Sequence, residues 1–334
     1  MIGMRRLFSN LLAFVNTMSM RKQMGFIATL LMTACMDASE VSAQTAGGGT
    51  VVRDVSIQST VLGREMLYSV YLPAGYTSSK QYPVLYLLHG YGDDQNDWWV
   101  FDDMADDADA MISSGEIPEM IIVTPDGGTW MYIDNCYGNG INYEQYFFQD
   151  LMTDVESRYS IRRERGSRAI GGFSMGGYGA LRYGVMRHDL FCHVYAMSSV
   201  IGGYGATDMA DIITSYSSSE LPGITLECGN RDYFTYDNRE FSALLTRLGI
   251  NHEHIERSGG HDWTFWSACT PKILRKVGAL FREGTTSIDN VRTTVRQPQG
   301  IYSLDGRRHN SLKRGVNIVD GRKVVILKYS AKRQ

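Results

Sequence analysis

The sequence predicts a doubly wound α/β domain with a mainly parallel sheet, followed by a small β-rich C-terminal module. Three observations predict it. Apolar runs of strand length recur through the first 283 residues. Segments of helix length with helical apolar spacing separate them. Beyond them, brief apolar runs are broken by Asp305-Gly306 and Asp320-Gly321, dipeptides that favour tight turns between strands.

Residues 51–58 and 65–72 alternate apolar and polar side chains, the pattern of half-buried strands, and open the domain as an antiparallel pair. Residues 84–88, 120–123, 169–173, 194–197 and 224–228 are largely apolar, as parallel strands covered on both faces are. Residues 252–257 read as the last strand of the sheet. Among the helices, 143–159 places Tyr143, Phe147, Leu151, Val155 and Tyr159 at steps of four, and 177–185, 240–248 and 265–281 follow suit. The α/β pattern spans 51–283, a polar linker 284–299, and the β-rich module 300–334. No repeat with a period of 20 to 50 residues is present.

The 334 residues, 43% hydrophobic and 21% charged with seven prolines, are enough for a sizeable core and argue against extended disorder. A net charge of −3 lacks the basic surplus of a nucleic-acid binder. Charge is uneven, however. From position 291 onward eleven Lys/Arg face two Asp, whereas eight Asp crowd between Asp93 and Asp109. That acidic run lacks calcium-loop spacing and reads as a solvated helix face.

Residues 1–43 read as a targeting segment. Arg21 and Lys22 precede an apolar stretch over 24–34, too short to span a bilayer, and Met18 and Met20 are alternative starts. Two processing routes stand side by side: cleavage after Val41-Ser42-Ala43, or lipidation of Cys35 within Leu31-Met32-Thr33-Ala34-Cys35. Both export the chain to the periplasm, cell surface or medium. The remaining cysteines, Cys136, Cys192, Cys228 and Cys269, allow three disulfide connectivities in an oxidising compartment, and their spacing carries no zinc signature. Cys192 and Cys228 lie in apolar strand-like runs and read as buried thiols.

Gly172-Phe173-Ser174-Met175-Gly176 matches G-x-S-x-G, in which a strand turns sharply into a helix with a serine at the apex. Ser174 is therefore the candidate nucleophile. His89-Gly90-Tyr91-Gly92 follows the strand 84–88, where a backbone N–H can be offered to an oxyanion. The two candidate donors are the amides of Tyr91 and Met175, with His89 a structural loop residue. A base is expected late in the chain, and His261 in Ser258-Gly259-Gly260-His261-Asp262-Trp263 fits. Asp232, after the strand 224–228, is the candidate acid, with Glu227 and Asp237 as rivals. His252 and His254 share a strand face and read as surface residues.

Together these segments resemble the esterase family that includes carbohydrate esterase family 1, with its feruloyl and acetyl-xylan esterases. The resemblance covers 51–283. It rests on Tyr82-Pro83-Val84-Leu85-Tyr86-Leu87-Leu88-His89-Gly90, on Gly172 to Gly177, on Cys228-Gly229 with Asp232, and on Gly259-Gly260-His261-Asp262-Trp263 with Trp266. It implies an α/β-hydrolase fold and ester hydrolysis through an acyl-enzyme on Ser174, with no metal and no cofactor. The tail, with Gly300-Ile301-Tyr302-Ser303-Leu304-Asp305-Gly306-Arg307-Arg308, resembles C-terminal segments of secreted Bacteroidetes proteins, some of which direct sorting to the cell surface.

Trp98, Trp99, Trp130, Tyr132, Trp263 and Trp266 fall on or near loops expected around the site, where aromatic rings suit a phenolic acyl group or a sugar. The expected substrate is an acylated plant polysaccharide or oligosaccharide: a cinnamoyl ester of xylan, or acetylated xylan. No nucleic-acid partner is expected, and oligomeric state is left open. Other readings are an S-formylglutathione hydrolase, which the export signal opposes, a secreted acyltransferase, and a non-catalytic carbohydrate-binding protein on a hydrolase scaffold.

Overall fold

A computed structural model of the chain describes residues 43–44, 48–205 and 207–294, and strands within 301–326, with side chains over 48–205 and 207–283. The expected export segment, Cys35 and both Asp-Gly turns of the tail lie outside the described residues. The chain divides between Gly278 and Ala279 into two compact units.

The first unit is built on one nine-stranded sheet. Its strands are β1 (Ala43–Gln44), β2 (Thr50–Gln58), β3 (Glu65–Leu72), β4 (Val84–Leu88), β5 (Ile121–Pro125), β6 (Arg168–Phe173), β7 (His193–Met197), β8 (Gly223–Gly229) and β9 (His252–Arg257). They lie in the order β1-β2-β3-β5-β4-β6-β7-β8-β9. The edge β1-β2-β3 is antiparallel and meets β5 antiparallel, while β5, β4, β6, β7, β8 and β9 are mutually parallel. Every residue of β4, β5, β6 and β7 is buried, which is why these strands read as unbroken apolar runs.

Helices α1 (Asp97–Val100), α2 (Met104–Ser113), α3 (Tyr143–Tyr146) and α4 (Met152–Arg158) precede β6, and α5 (Met175–Met186) follows it. α6 (Met209–Ile213), α7 (Thr235–Arg247), α8 (Trp263–Ser267) and α9 (Thr270–Thr294) complete the set. The stripe expected over 143–159 is not one regular helix. A π turn at Phe147–Leu151 joins α3 to α4, and Tyr159 is already extended. Side chains at steps of four drift around a helix of 3.6 residues per turn, and one wider turn resets them. Tyr143, Phe147, Leu151 and Val155 are thereby all buried.

The helix expected over 265–281 is broken at residues 268–269. Pro271 has no N–H to donate and disfavours helical geometry in the residue before it, so it is tolerated only in a first turn. α9 restarts there and continues to Thr294, through most of the stretch expected to be linker. Gly284, Thr285 and Thr286 are weak helix formers, but Phe281, Ile288 and Val291 keep helical spacing across them.

The second unit carries a four-stranded antiparallel sheet of β10 (Ile301–Tyr302), β11 (Arg308–His309), β12 (Gly315–Val319) and β13 (Arg322–Ile326), ordered β11-β10-β12-β13. β11, a basic pair, carries no apolar signal in the sequence.

All four described cysteines are free thiols, so none of the three connectivities is formed. Burial pushes the Cys228 and Cys269 thiols up to about 12 and that of Cys192 to about 11, away from reactivity near neutral pH.

Glu227, buried on β8, accepts hydrogen bonds from the Tyr195 hydroxyl (2.5 Å), Arg257 Nε (2.5 Å) and Lys272 Nζ (2.6 Å). It so ties β7, β9 and α9 to one point. Burial pushes its carboxyl up, but Lys272, Tyr195 and Arg257 outweigh this and hold it below the usual carboxylate range. The unfolded chain therefore binds this proton first on acidification. The stability it contributes is present above the unfolded value of about 4.3 and lost as pH falls through the folded one. Glu227→Ala is expected to lower the unfolding free energy by about 3 kcal/mol at pH 7, since two cations lose a buried partner. Urea denaturation from pH 7 to pH 3 checks both points: the variant's stability should fall less steeply with acid than the parent's.

Candidate active site

Ser174 sits between β6 and α5 with φ 55° and ψ −118°, a strained left-handed conformation for a non-glycine residue. Its N–H donates to Met197 O (2.9 Å), and its carbonyl accepts from Tyr178 N–H (3.2 Å) and Val200 N–H (3.3 Å). The turn is tight because Gly176 lies directly against β4: a Cβ there would strike the Leu88 carbonyl, and would stand 2.6 Å from that of His89. α5 departs from this point with ten of its twelve residues buried, so the serine is anchored from both sides.

Asp232 and His261 arrive from the next loops along the sheet. A Cβ on Gly229, at the end of β8, would lie 2.5 Å from Gly259 O, so only glycine lets the acid-bearing and histidine-bearing loops approach this closely. Backbone bonds lock them, from Asn230 N–H to Arg257 O (2.8 Å) and from Arg231 N–H to Gly259 O (2.9 Å). Asp262 then caps α8, accepting from Phe265 N–H at 3.0 Å.

Here the three side chains meet. His261 Nε2 is 2.9 Å from Ser174 Oγ, and His261 Nδ1 is 2.9 Å from Asp232 Oδ2. The second carboxylate oxygen accepts from Phe234 N–H at 2.8 Å. An ionised carboxylate only accepts, so Nδ1 carries the proton and the Nε2 lone pair faces the serine hydroxyl. Burial pushes the Asp232 carboxyl up, yet His261, the Phe234 amide and Ser198 together hold it below the usual range. The rivals are occupied elsewhere: Glu227 in its ion cluster, Asp237 in the first turn of α7 beside a separate cleft.

Ser174 opens into a cavity of about 330 Å³ that Tyr91 and Met175 also line. Met175 is the first residue of α5, where an amide has no intrahelical acceptor. Neither its N–H nor that of Tyr91 has an acceptor among the described residues. Met175 therefore offers an unbonded amide next to the serine, and Tyr91 another on a loop that lines the same cavity. His89 supports this loop: its Nδ1–H donates to Gly90 O (2.7 Å) and its Nε2 accepts from Gly127 N–H (2.7 Å). No group of three potential metal ligands occurs among the described residues, and His252 is engaged by Ser242 and Ile250.

The family model described as "Putative esterase" matches residues 59–277. The chain belongs to this esterase family. It is 25% identical over 234 residues to an endo-1,4-beta-xylanase/feruloyl esterase of Xylanibacter ruminicola, covering 68% of this chain and 31% of that protein. The chain thus spans about a third of the length of that curated relative. Among solved structures it is similar to a ferulic acid esterase, with 31% identity and a TM-score of 0.65 over 71% of this chain and all of that one. It is also similar to the CE1 ferulic acid esterase of Anaeromyces mucronatus, with 25% identity and a TM-score of 0.61 over 73% and 96% of the two chains. The fold is that of the α/β-hydrolases.

The esterase's cavity is not lined by the aromatic residues expected from sequence. Trp98 is buried edge-on against Phe173 (5.2 Å) and Trp263 (5.5 Å), and Trp99 donates its Nε1–H to Thr124 in the core (2.8 Å). Tyr132 is buried beneath the loop that follows β4, its hydroxyl donating to His89 O (3.1 Å). Trp130 packs on Tyr143 under the Arg64 guanidinium. Trp263 packs on Phe173 and Phe101, and Trp266, also buried, stacks on Phe173 and stands edge-on to His261 at 5.0 Å. Trp98, Trp263 and Trp266 thus cluster around Phe173 beside the turn at Ser174, while Trp99 and Trp130 pack elsewhere. Those that line the cavity are Tyr91, Tyr137, Tyr204, Tyr233 and Phe234, on the loops following β4, β5, β7 and β8. Their position at the ends of parallel strands was the available sequence signal.

Asp232→Asn should preserve the packing while turning the His261 ring toward the wrong tautomer. We expect kcat on an activated ester to fall about 10³- to 10⁴-fold with the thermal midpoint little changed, as measured by steady-state kinetics and calorimetry on the same preparation.

Proposed function

We propose that this protein is an exported serine carboxylic-ester hydrolase working through an acyl-enzyme on Ser174, and that it removes feruloyl groups from plant xylan. One observation carries the reading: the unbroken Ser174–His261–Asp232 hydrogen-bond line at the foot of a cavity that Tyr91 and Met175 line. His261 Nε2 takes the hydroxyl proton as Ser174 Oγ attacks the ester carbonyl, and the buried Asp232 steadies the imidazolium that forms. The oxyanion is received by the Tyr91 and Met175 N–H groups. His261 then protonates the departing alcohol oxygen, and water repeats the sequence on the acyl-enzyme. Export rests on Arg21, Lys22 and the apolar run over 24–34.

The size and lining of the cavity favour an aromatic acyl group. It offers about 330 Å³ over buried Met131, Val200 and Phe234, far more than a two-carbon acyl group fills. Acetyl removal is the second reading, favoured by 26% identity to an acetyl esterase of Caldicellulosiruptor saccharolyticus.

Purified protein and its Ser174→Ala variant, incubated with methyl ferulate, p-nitrophenyl acetate and feruloylated arabinoxylan, test this. Ferulate release by the parent, lost at least about 10⁴-fold in the variant, is the expected result. Turnover of the acetyl ester alone moves the substrate to acetylated glycans. Release that survives the substitution removes Ser174 from the mechanism.

A further inference from the structure

The nine residues lining the cavity fall into two sets. Ser174, Met131, Met175, Val200 and Phe234 form a floor, none more than 9% exposed. Tyr91, Tyr137, Tyr204 and Tyr233 form a rim, each between 59% and 70% exposed. Only two other exposed aromatic rings, Phe101 and Tyr236, occur among the described residues. Four solvent-facing phenols from four separate loops therefore converge on one opening, where scattered exposure would be the ordinary pattern.

Two of the four are held there against backbone preference. Tyr137 and Tyr204 both have φ 52°, in the left-handed region that a bulky residue avoids. The Tyr137 ring lies so close over Gly205 that a Cβ on that glycine would be 2.8 Å from it. This latches the loop after β5 to the loop after β7. Tyr204 in turn meets Phe234 edge-on at 6.3 Å. Strain at two side chains that present an apolar face and a polar tip to solvent fits a prearranged ligand surface.

The chemistry of the surface selects the ligand. No lining residue carries a formal charge, so nothing there matches a phosphate or another anion. A lipid would call for an apolar rim, but every rim ring ends in a hydroxyl. Flat apolar faces edged with hydroxyl donors and acceptors suit a neutral sugar, whose C–H faces stack and whose hydroxyls hydrogen-bond. A polymer cannot enter about 330 Å³ and must remain outside. We infer that the tyrosine rim is a carbohydrate subsite that binds the alcohol side of the ester, while the floor takes the acyl group.

This rests on the esterase reading, and the experiment separates the two. Tyr137→Ala/Tyr204→Ala alters neither a triad residue nor an oxyanion donor. kcat/KM is measured for parent and variant on methyl ferulate and on a feruloylated arabino-xylo-oligosaccharide. The ratio of oligosaccharide to methyl ester is expected to fall at least tenfold, mainly through KM. In parallel, calorimetry follows binding of the unesterified oligosaccharide to Ser174→Ala, with and without the two rim substitutions. Binding lost with the rim substitutions supports the subsite even if no ester is turned over, in which case only the hydrolytic reading fails. A kinetic ratio within twofold of the parent's, or oligosaccharide binding unaffected by the rim substitutions, overturns the subsite and leaves hydrolysis of the small ester standing.

Discussion

The contact between Gly176 and the backbone of β4 is the constraint from which the rest of the site is measured. β4 and β6 run side by side with Leu88 opposite Gly172, and the chain must leave β6 and enter α5 across the end of that pair. With no side chain on Gly176, the helix can start directly against the Leu88 carbonyl, and Ser174 is forced upward at the apex. Such a conformation costs about 1–3 kcal/mol. Burying the Tyr, Leu and Val side chains of α5 returns about 1.5–3 kcal/mol each, so the strain is held rather than relaxed. Both donor amides follow from the same geometry, one at the first turn of α5 and one on the loop that continues β4.

β8 shows how two acidic groups on one strand and its exit loop are given opposite tasks. Glu227 lies within the strand, where Tyr195, Arg257 and Lys272 bind its oxygens. Asp232 lies beyond the strand end, where one oxygen is held by a backbone amide and the other is left for a single imidazole. The first arrangement binds elements together. The second orients a ring. Arg257 links the two regions, because the guanidinium paired with Glu227 also donates to Phe265 O (2.6 Å), in the helix that follows His261. The histidine loop is thus braced by an ion pair that does not touch the His261 ring.

The alternation of strand and helix was legible in the sequence, and so was the candidate set Ser174, His261 and Asp232, which the fold brings within hydrogen-bond distance. Each rests on a local rule: burial on both faces gives unbroken apolar runs, a tight turn calls for glycines, and chain order follows the sheet. The π turn was hidden because steps of four look helical until the drift of 3.6 residues per turn is counted. The break before α9 was foreshadowed by Pro271, whose effect depends on where in a helix it falls. Which aromatic rings reach the cavity was not legible, for a deeper reason. Trp98 and Tyr132 on one side, and Tyr137 and Tyr233 on the other, all lie in segments that follow parallel strands. Which ring turns inward depends on backbone torsions and on the packing beneath, as with Tyr132 under His89 and Tyr137 over Gly205. No periodicity carries that information.

A parallel sheet places the carboxyl ends of its strands along one edge, and this is where the loops bearing every side chain of the candidate site arise. The arrangement separates what must be rigid from what can vary. Ser174, Asp232 and His261 lie within short turns tied by backbone hydrogen bonds to neighbouring strands, so small displacements there would break a 2.9 Å contact. Tyr137 and Tyr204 stand farther out, on longer excursions after β5 and β7 that meet where the Tyr137 ring lies over Gly205. Changes in those two loops can redraw the mouth of the cavity while leaving the hydrogen-bond line below it in place. Selection among esters can therefore be altered at the rim without rebuilding the turn that exposes Ser174.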